Sequence, residues 1–155
     1  MCIRDSFGGL LTTCGMDHVG KPARRSATRF GYPNRATETL PLHGRVSNIP
    51  ARLLRYGVEE IDGVPTAFAE GEVQQVAVFG ENLVLMRRIA LPIHSRTLTV
   101  TDAVANRGYA SSPFALLYHV NVGWPTLAPG AELSVSRHPT GDLSWSRVGL
   151  SLIHI

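Results

Sequence analysis

Apolar and polar residues alternate along much of the chain with a period of two, and turn residues interrupt the rhythm at short intervals. In RTLTVTDAVAN, Leu98, Val100, Asp102 and Val104 fall on one face, with Thr97, Thr99, Thr101 and Ala103 on the other, as in a strand. In PFALLYHVNVG, Ala115, Leu117, His119 and Asn121 share one face and Phe114, Leu116, Tyr118 and Val120 the other, so His119 points where Leu117 points. Asp62-Gly63 lies between ARLLRYGVEE and VPTAFAEGEVQQVAVF and predicts a two-residue hairpin, because both turn positions need positive φ. NLVLMRRIAL predicts another strand, on which Arg87 and Arg88 must face opposite sides. Arg88, on the side of Val84 and Met86, either lines a polar site or pairs with a carboxylate. Glu81-Asn82 and Asn106-Arg107-Gly108 read as turns, and FGGLLTTC as an early strand with room for close backbone approach. Residues 15–42 show no clear period and are expected to form a long, site-lining loop.

At least five or six short strands without an amphipathic helix predict an all-β fold, an antiparallel β-sandwich or barrel. The segments 73–79, 82–91 and 114–122 are apolar on both sides, which favours packing between two layers. Composition agrees: 15 Gly and 10 Pro in 155 residues exclude long helical bundles, and 44% hydrophobic with 17% charged residues is globular. A net charge of +3 would suit nucleic acid, but 14 of the 15 basic residues are scattered Arg, and no clustered stripe exists to track phosphates. No apolar run approaches the roughly 20 residues of a spanning helix, so no membrane partner is expected. The N-terminus lacks a basic-then-apolar export signal, and Cys2 and Cys14 form no CxxC, which together predict a cytoplasmic, reducing location. MCIRDS and LSLIHI do not share the rhythm of their neighbours. Residues 1–6 and 149–155 are therefore read as non-native ends, and 7–148 as a fragment of one β-sandwich domain.

Two histidines stand out by context, His43 in PLHGR and His119 in LLYHVNVGWP, each followed by residues that let backbone or ligand come close. An imidazole exchanges a proton near neutral pH and is the default general acid or base, although both positions also suit a hydrogen-bonded core or rim histidine. Asp17 and His18 could reach a site from the long loop, while His94 and His138 read as surface turns. A metal site of His43, His119 and Glu81 is poorly supported, since no HxH or HExxH pair occurs.

The succession GGLLTTCGMDHVG, LHGRVSNIPA, FGENLVLMRRI, LTVTDAVANRG and LLYHVNVGWPTLAPG resembles the galactose mutarotase-like superfamily, in particular its aldose 1-epimerase-like members. LHGR at 42–45 resembles the LHGG-type motif and LLYHVNVGWP the TNHSYFNL-type strand. The resemblance implies a supersandwich with a sugar site on its concave face, and α/β anomer interconversion of an aldose by general acid–base ring opening. His119 would be the general acid and His43 a ring-oxygen or hydroxyl partner, with no metal or organic cofactor. Arg45 replaces the second Gly of the motif, and its fork either suits an anionic sugar or is salt-bridged. Asn121 and Trp124 would hydrogen-bond to and stack on the sugar, Trp124 being equally suited to plug the core. The family's general-base Glu lies further towards the C-terminus, and none of Glu38, Glu59, Glu60, Glu70, Glu72, Glu81 or Glu132 occupies its motif. The sandwich is accordingly expected to be incomplete and to lack its base, with a non-catalytic carbohydrate-binding sandwich as the alternative. Oligomeric state is left open.

Overall fold

The computed structural model describes residues 10–26, 37–78, 80–123 and 129–130. The chain divides after Asn121 into two compact units; the second contributes only Val122, Gly123, Pro129 and Gly130 to the described residues, and the fold is that of the first. Its strands are β1 (Leu11–Met16), β2 (Ala23–Ser26), β3 (Thr37–Leu40), β4 (Arg52–Ile61), β5 (Val64–Val76), β6 (Asn82–Pro92), β7 (Thr99–Asn106) and β8 (Ala115–Val120) among the described residues, with a 3-10 turn at Val46–Asn48. Every strand pair is antiparallel, and the all-β, sandwich-like class expected from the alternation is what forms. Among the described residues no helix is long and apolar enough to cross a membrane.

The larger layer is the meander β4-β5-β6-β7, and the smaller is the pair β1-β8. Asp62 and Gly63, at φ 50° and 77°, make the tight β4–β5 turn that the Asp-Gly signal predicts. Val73, Leu85 and Val104 are cross-strand neighbours on one face of the meander, and the strands' alternation puts Leu83 on the same side. Met16 from β1, Leu116 from β8 and Val46 from the 3-10 turn pack against these residues to form the core. Further along the same face Tyr56, Val58, Ile89 and Leu91 are exposed. The two-stranded layer is too narrow to cover them.

Residues 15–42 depart from the expected structureless loop by containing the β2-β3 ladder. The reason it escapes a hydrophobic reading is that it is held by polar groups. Arg25 and Glu38 are register partners and form an ion pair, while Arg24 donates to Thr37 Oγ1.

Gly15 and Gly44 lie side by side as an isolated parallel bridge. The Gly15 N–H donates to the His43 carbonyl at 2.9 Å, and the Arg45 N–H donates to the Gly15 carbonyl at 2.8 Å. A Cβ on Gly44 would lie 2.1 Å from the His18 carbonyl oxygen and 2.3 Å from that of Gly15, and one on Gly15 would lie 2.4 Å from the Ala115 oxygen. Only glycine fits at either position. Gly44→Ala, at φ 83° with backbone in the way, should cost about 3 to 5 kcal/mol in urea unfolding. Gly63→Ala, at φ 77° with nothing within 4 Å, isolates the conformational cost and should lose only about 1 kcal/mol. Equal losses at the two positions would refute the steric account.

Candidate functional site

The LHGR motif distributes its residues to three tasks. His43 has φ 60°, a conformation uncommon for a non-glycine residue, and its N–H donates to the Gly20 carbonyl at 2.9 Å. Gly44 makes the contact with β1, and Arg45 departs into a cluster of charged side chains. On β8, alternation sends Leu116 into the core and Tyr118 towards the larger layer, where its hydroxyl donates to Asp102 at 2.7 Å. His119 therefore turns to the other side, as the sequence predicts, and its ring centroid lies 6.0 Å from that of His43 with the planes tilted by 55°. His43 Nδ1 is 3.1 Å from the Val19 carbonyl oxygen, which can only accept, so Nδ1 carries a proton and neutral His43 uses Nε2 as its acceptor.

Beside His43 lies a cavity of about 650 Å³, inside the range of small-molecule sites. Leu11, Thr12 and Thr13 line it from the smaller layer, His43 from the PLHGR turn, and Gly71, Leu85, Arg87 and Ile89 from the meander. His119, on the face of β8 turned away from the larger layer, is not a lining residue and is linked to the cavity only through its ring contact with His43.

Arg87 is the charged residue of β6 that faces the cavity. It is the cross-strand partner of Asp102, donating from Nε to Oδ1 at 2.8 Å and from Nη2 to Oδ2 at 2.6 Å, and Nη2 also donates to Thr13 Oγ1. Burial alone would push the Asp102 carboxyl up, but hydrogen bonds from Arg87 and Tyr118 hold it below its ordinary value. The Tyr118 phenol is pushed up by burial and by the hydrogen bond it gives Asp102. The hydrogen bonds to Asp102 keep Arg87 firmly protonated. Arg88, on the opposite face, pairs with Glu59 and Glu70 and lies 4.5 Å from the centre of the Phe68 ring. Hydrogen bonds from Arg55 and Arg88 bring the Glu70 carboxyl down to about 2. Of the two readings open for Arg88, carboxylate pairing is the one that its contacts match.

Arg45 does not line the cavity. Its Nη2 donates to Asp17 Oδ2 at 3.0 Å and to Glu38 Oε2 at 3.3 Å, while Nη1 is 2.6 Å from Glu81 Oε1, an ion pair without hydrogen-bond alignment. Arg25 pairs with Asp17 and Glu38 from the other side. Three carboxylates with side chains at most 2% exposed thus share two guanidiniums. Burial raises Asp17, but Gln75, Arg45 and Arg25 outweigh it and keep its carboxyl below the ordinary value. Glu81 is consequently held by Arg45, and among the described residues no three His, Cys, Asp or Glu are placed to hold a metal ion. His94 sits in an exposed turn as expected. Asn121 is half-buried, and its N–H donates to the Leu10 carbonyl at 2.8 Å. Trp124 and His138 lie outside the described residues.

Sequence reasoning missed the Arg87–Asp102–Tyr118 network and the Asp17, Arg25, Glu38 cluster. A charge on the apolar face of each of two neighbouring strands, Arg87 beside Leu85 and Asp102 beside Val104, was the available signal for the first.

Removing the Arg45 guanidinium strands buried carboxylates, so Arg45→Ala should cost about 3 to 5 kcal/mol in urea unfolding. Unchanged stability with lost binding of a sugar anion would instead restore Arg45 as a ligand contact. Asp17 and Asp102 bind protons less readily in the folded chain than when unfolded. Their contribution is fully present above about pH 4 and is lost as pH falls through the lower folded values. The thermal midpoint should therefore be nearly level from about pH 7 to 5 and fall steeply below about pH 4, and a midpoint that held to about pH 2 would contradict this.

No curated protein and no solved structure matches the chain. A family model described as a domain of unknown function, DUF4432, matches residues 3–142, which includes every described strand and both histidines of the site. With most of its length matched, this all-β chain belongs to the DUF4432 family.

Proposed function

We propose that the protein is an aldose 1-epimerase-like, galactose mutarotase-like carbohydrate-binding protein that interconverts the α and β anomers of an aldose. The observation that carries this reading is the pairing of His43, which lines a cavity of small-molecule size, with His119. Mutarotation requires a proton to leave the anomeric hydroxyl as another reaches the ring oxygen. The C1–O5 bond breaks, C1–C2 rotates, and closure on the other face reverses both transfers. In this reading His119 delivers the proton to the ring oxygen, and His43, whose Nδ1 proton is fixed by Val19, accepts a hydroxyl proton at Nε2. A labile hemiacetal needs no more than about 10² to 10⁴-fold help from each such group.

One observation favours a second reading, a sandwich that binds sugar without turning it over. Glu70 and Asp102 are clamped by arginines and held low, which makes them poor proton acceptors. Anomer exchange followed by NMR on the 155-residue chain separates the readings. With the family's general-base Glu lacking and His43 standing in for it, only a modest acceleration over the spontaneous rate is expected across a panel of aldoses, and it should vanish in His119→Ala. Saturable sugar binding with no acceleration would retire the catalytic role and leave the binding one.

A further inference from the structure

The cavity has a feature that the histidine pair does not explain, a guanidinium presented to it with its charge already cancelled. Arg87 spends Nε and Nη2 on Asp102 and Thr13, with Tyr118 also close to the guanidinium, whereas Nη1 makes no well-aligned hydrogen bond among the described residues. Its planar fork cannot turn, because Asp102 grips one edge and Thr13 reaches it from the smaller layer. Asp102 is itself fixed by Tyr118, and its side chain is only 4% exposed. Gly71, the cross-strand neighbour of Arg87 on β5, adds no side chain in front of it.

The other ionised residues lining the cavity are matched too. Arg52 pairs with Glu72 at 2.6 Å, and Glu70 pairs with Arg55 and Arg88. Arg45, the permanently charged residue of LHGR, is committed to three carboxylates elsewhere. The walls thus offer oriented N–H donors without net positive charge.

We infer that Arg87 is a ligand-anchoring residue whose Nη1 donates to an oxygen of an uncharged polyhydroxyl ligand, and that Asp102 sets the selectivity by cancelling the charge that would draw an anionic sugar. This rests on the carbohydrate reading above and adds to it a residue and a charge preference. A carboxylate, sulfonate or phosphate brought against Arg87 would meet the field of Asp102 as well as the guanidinium. A hydroxyl or ring oxygen gains the hydrogen bond without that repulsion.

The test is isothermal titration of the 155-residue chain with glucose and galactose, with glucuronate and galacturonate, and with glucose 6-phosphate, at low and high salt. The expected result is binding of a neutral sugar that is insensitive to salt, with the matching uronate at least about tenfold weaker. Asp102→Asn leaves Arg87 in place and uncovers its charge, and should narrow or reverse that preference by about tenfold, with the uronate now weakened by salt. Arg87→Gln should lose about tenfold in neutral-sugar affinity. Because that variant strands Asp102, the double variant Arg87→Gln with Asp102→Asn serves as the folded control, checked by circular dichroism, and should show the same loss. Tighter binding of the uronate or phosphate by the unaltered chain would overturn the charge inference while leaving the sugar reading intact. Neutral-sugar binding undiminished in the folded double variant would overturn the role of Arg87 alone. Failure to bind any of these sugars would remove both readings together.

Discussion

Two backbones can touch and exchange hydrogen bonds at the place where Gly15 meets Gly44 only because neither residue carries a side chain. Much of the site follows from that contact. It fixes the PLHGR turn against the C-terminal end of β1 and lets the Ala115 carbonyl of β8 press on Gly15 from the other side. With β8 held in that register, His119 stands opposite Thr12 and beside His43. The same contact directs the next residue, Arg45, away from the cavity and towards Asp17, Glu38 and Glu81. A motif of four residues thereby joins a proton-exchanging group to an ionic anchor, with a glycine as the hinge between their directions.

Charges inside this molecule act as registration marks more than as a source of net stability. Placing paired ions out of water costs about as much as their attraction returns, whereas mispairing leaves one of them buried and alone. Asp17 follows β1, Arg25 lies on β2, Glu38 on β3, Arg45 after the histidine turn and Glu81 just before β6. Five separate segments must therefore arrive together for the cluster to balance. On the outer face of the meander Arg55, Arg88, Glu59 and Glu70 form a more exposed ladder over Phe68, where solvent weakens each pair.

The parts of the fold that the sequence makes legible are those decided by neighbours along the chain. Alternation in β7 and β8 assigned Val104, Asp102 and His119 to their correct faces, and Asp62-Gly63 marked its own turn. Motif context alone points to His43 and His119, whose rings the fold brings to 6.0 Å of each other. What escaped detection is decided by contacts distant in sequence. Nothing local tells Arg25 that its partner is Glu38, so β2 and β3 looked like loop; nothing local tells Arg45 to turn towards Glu81 and not towards a ligand. Between Arg87 and Arg88 the alternation predicted opposite faces, but which face borders a cavity depends on where β1 crosses the meander.

The pairing of β1 with β8, Leu11 against Val120, draws together segments from the beginning and the end of the first unit. Closing a loop of about a hundred residues carries an entropic cost that the local hairpins do not share. During synthesis the meander can form as its strands emerge, yet β1 has to wait for β8, and only then do the two histidines meet. A ribosome thus releases the scaffold first and the paired histidines last, so a nascent chain stalled before β8 would carry most of the sheet without the meeting of His43 and His119.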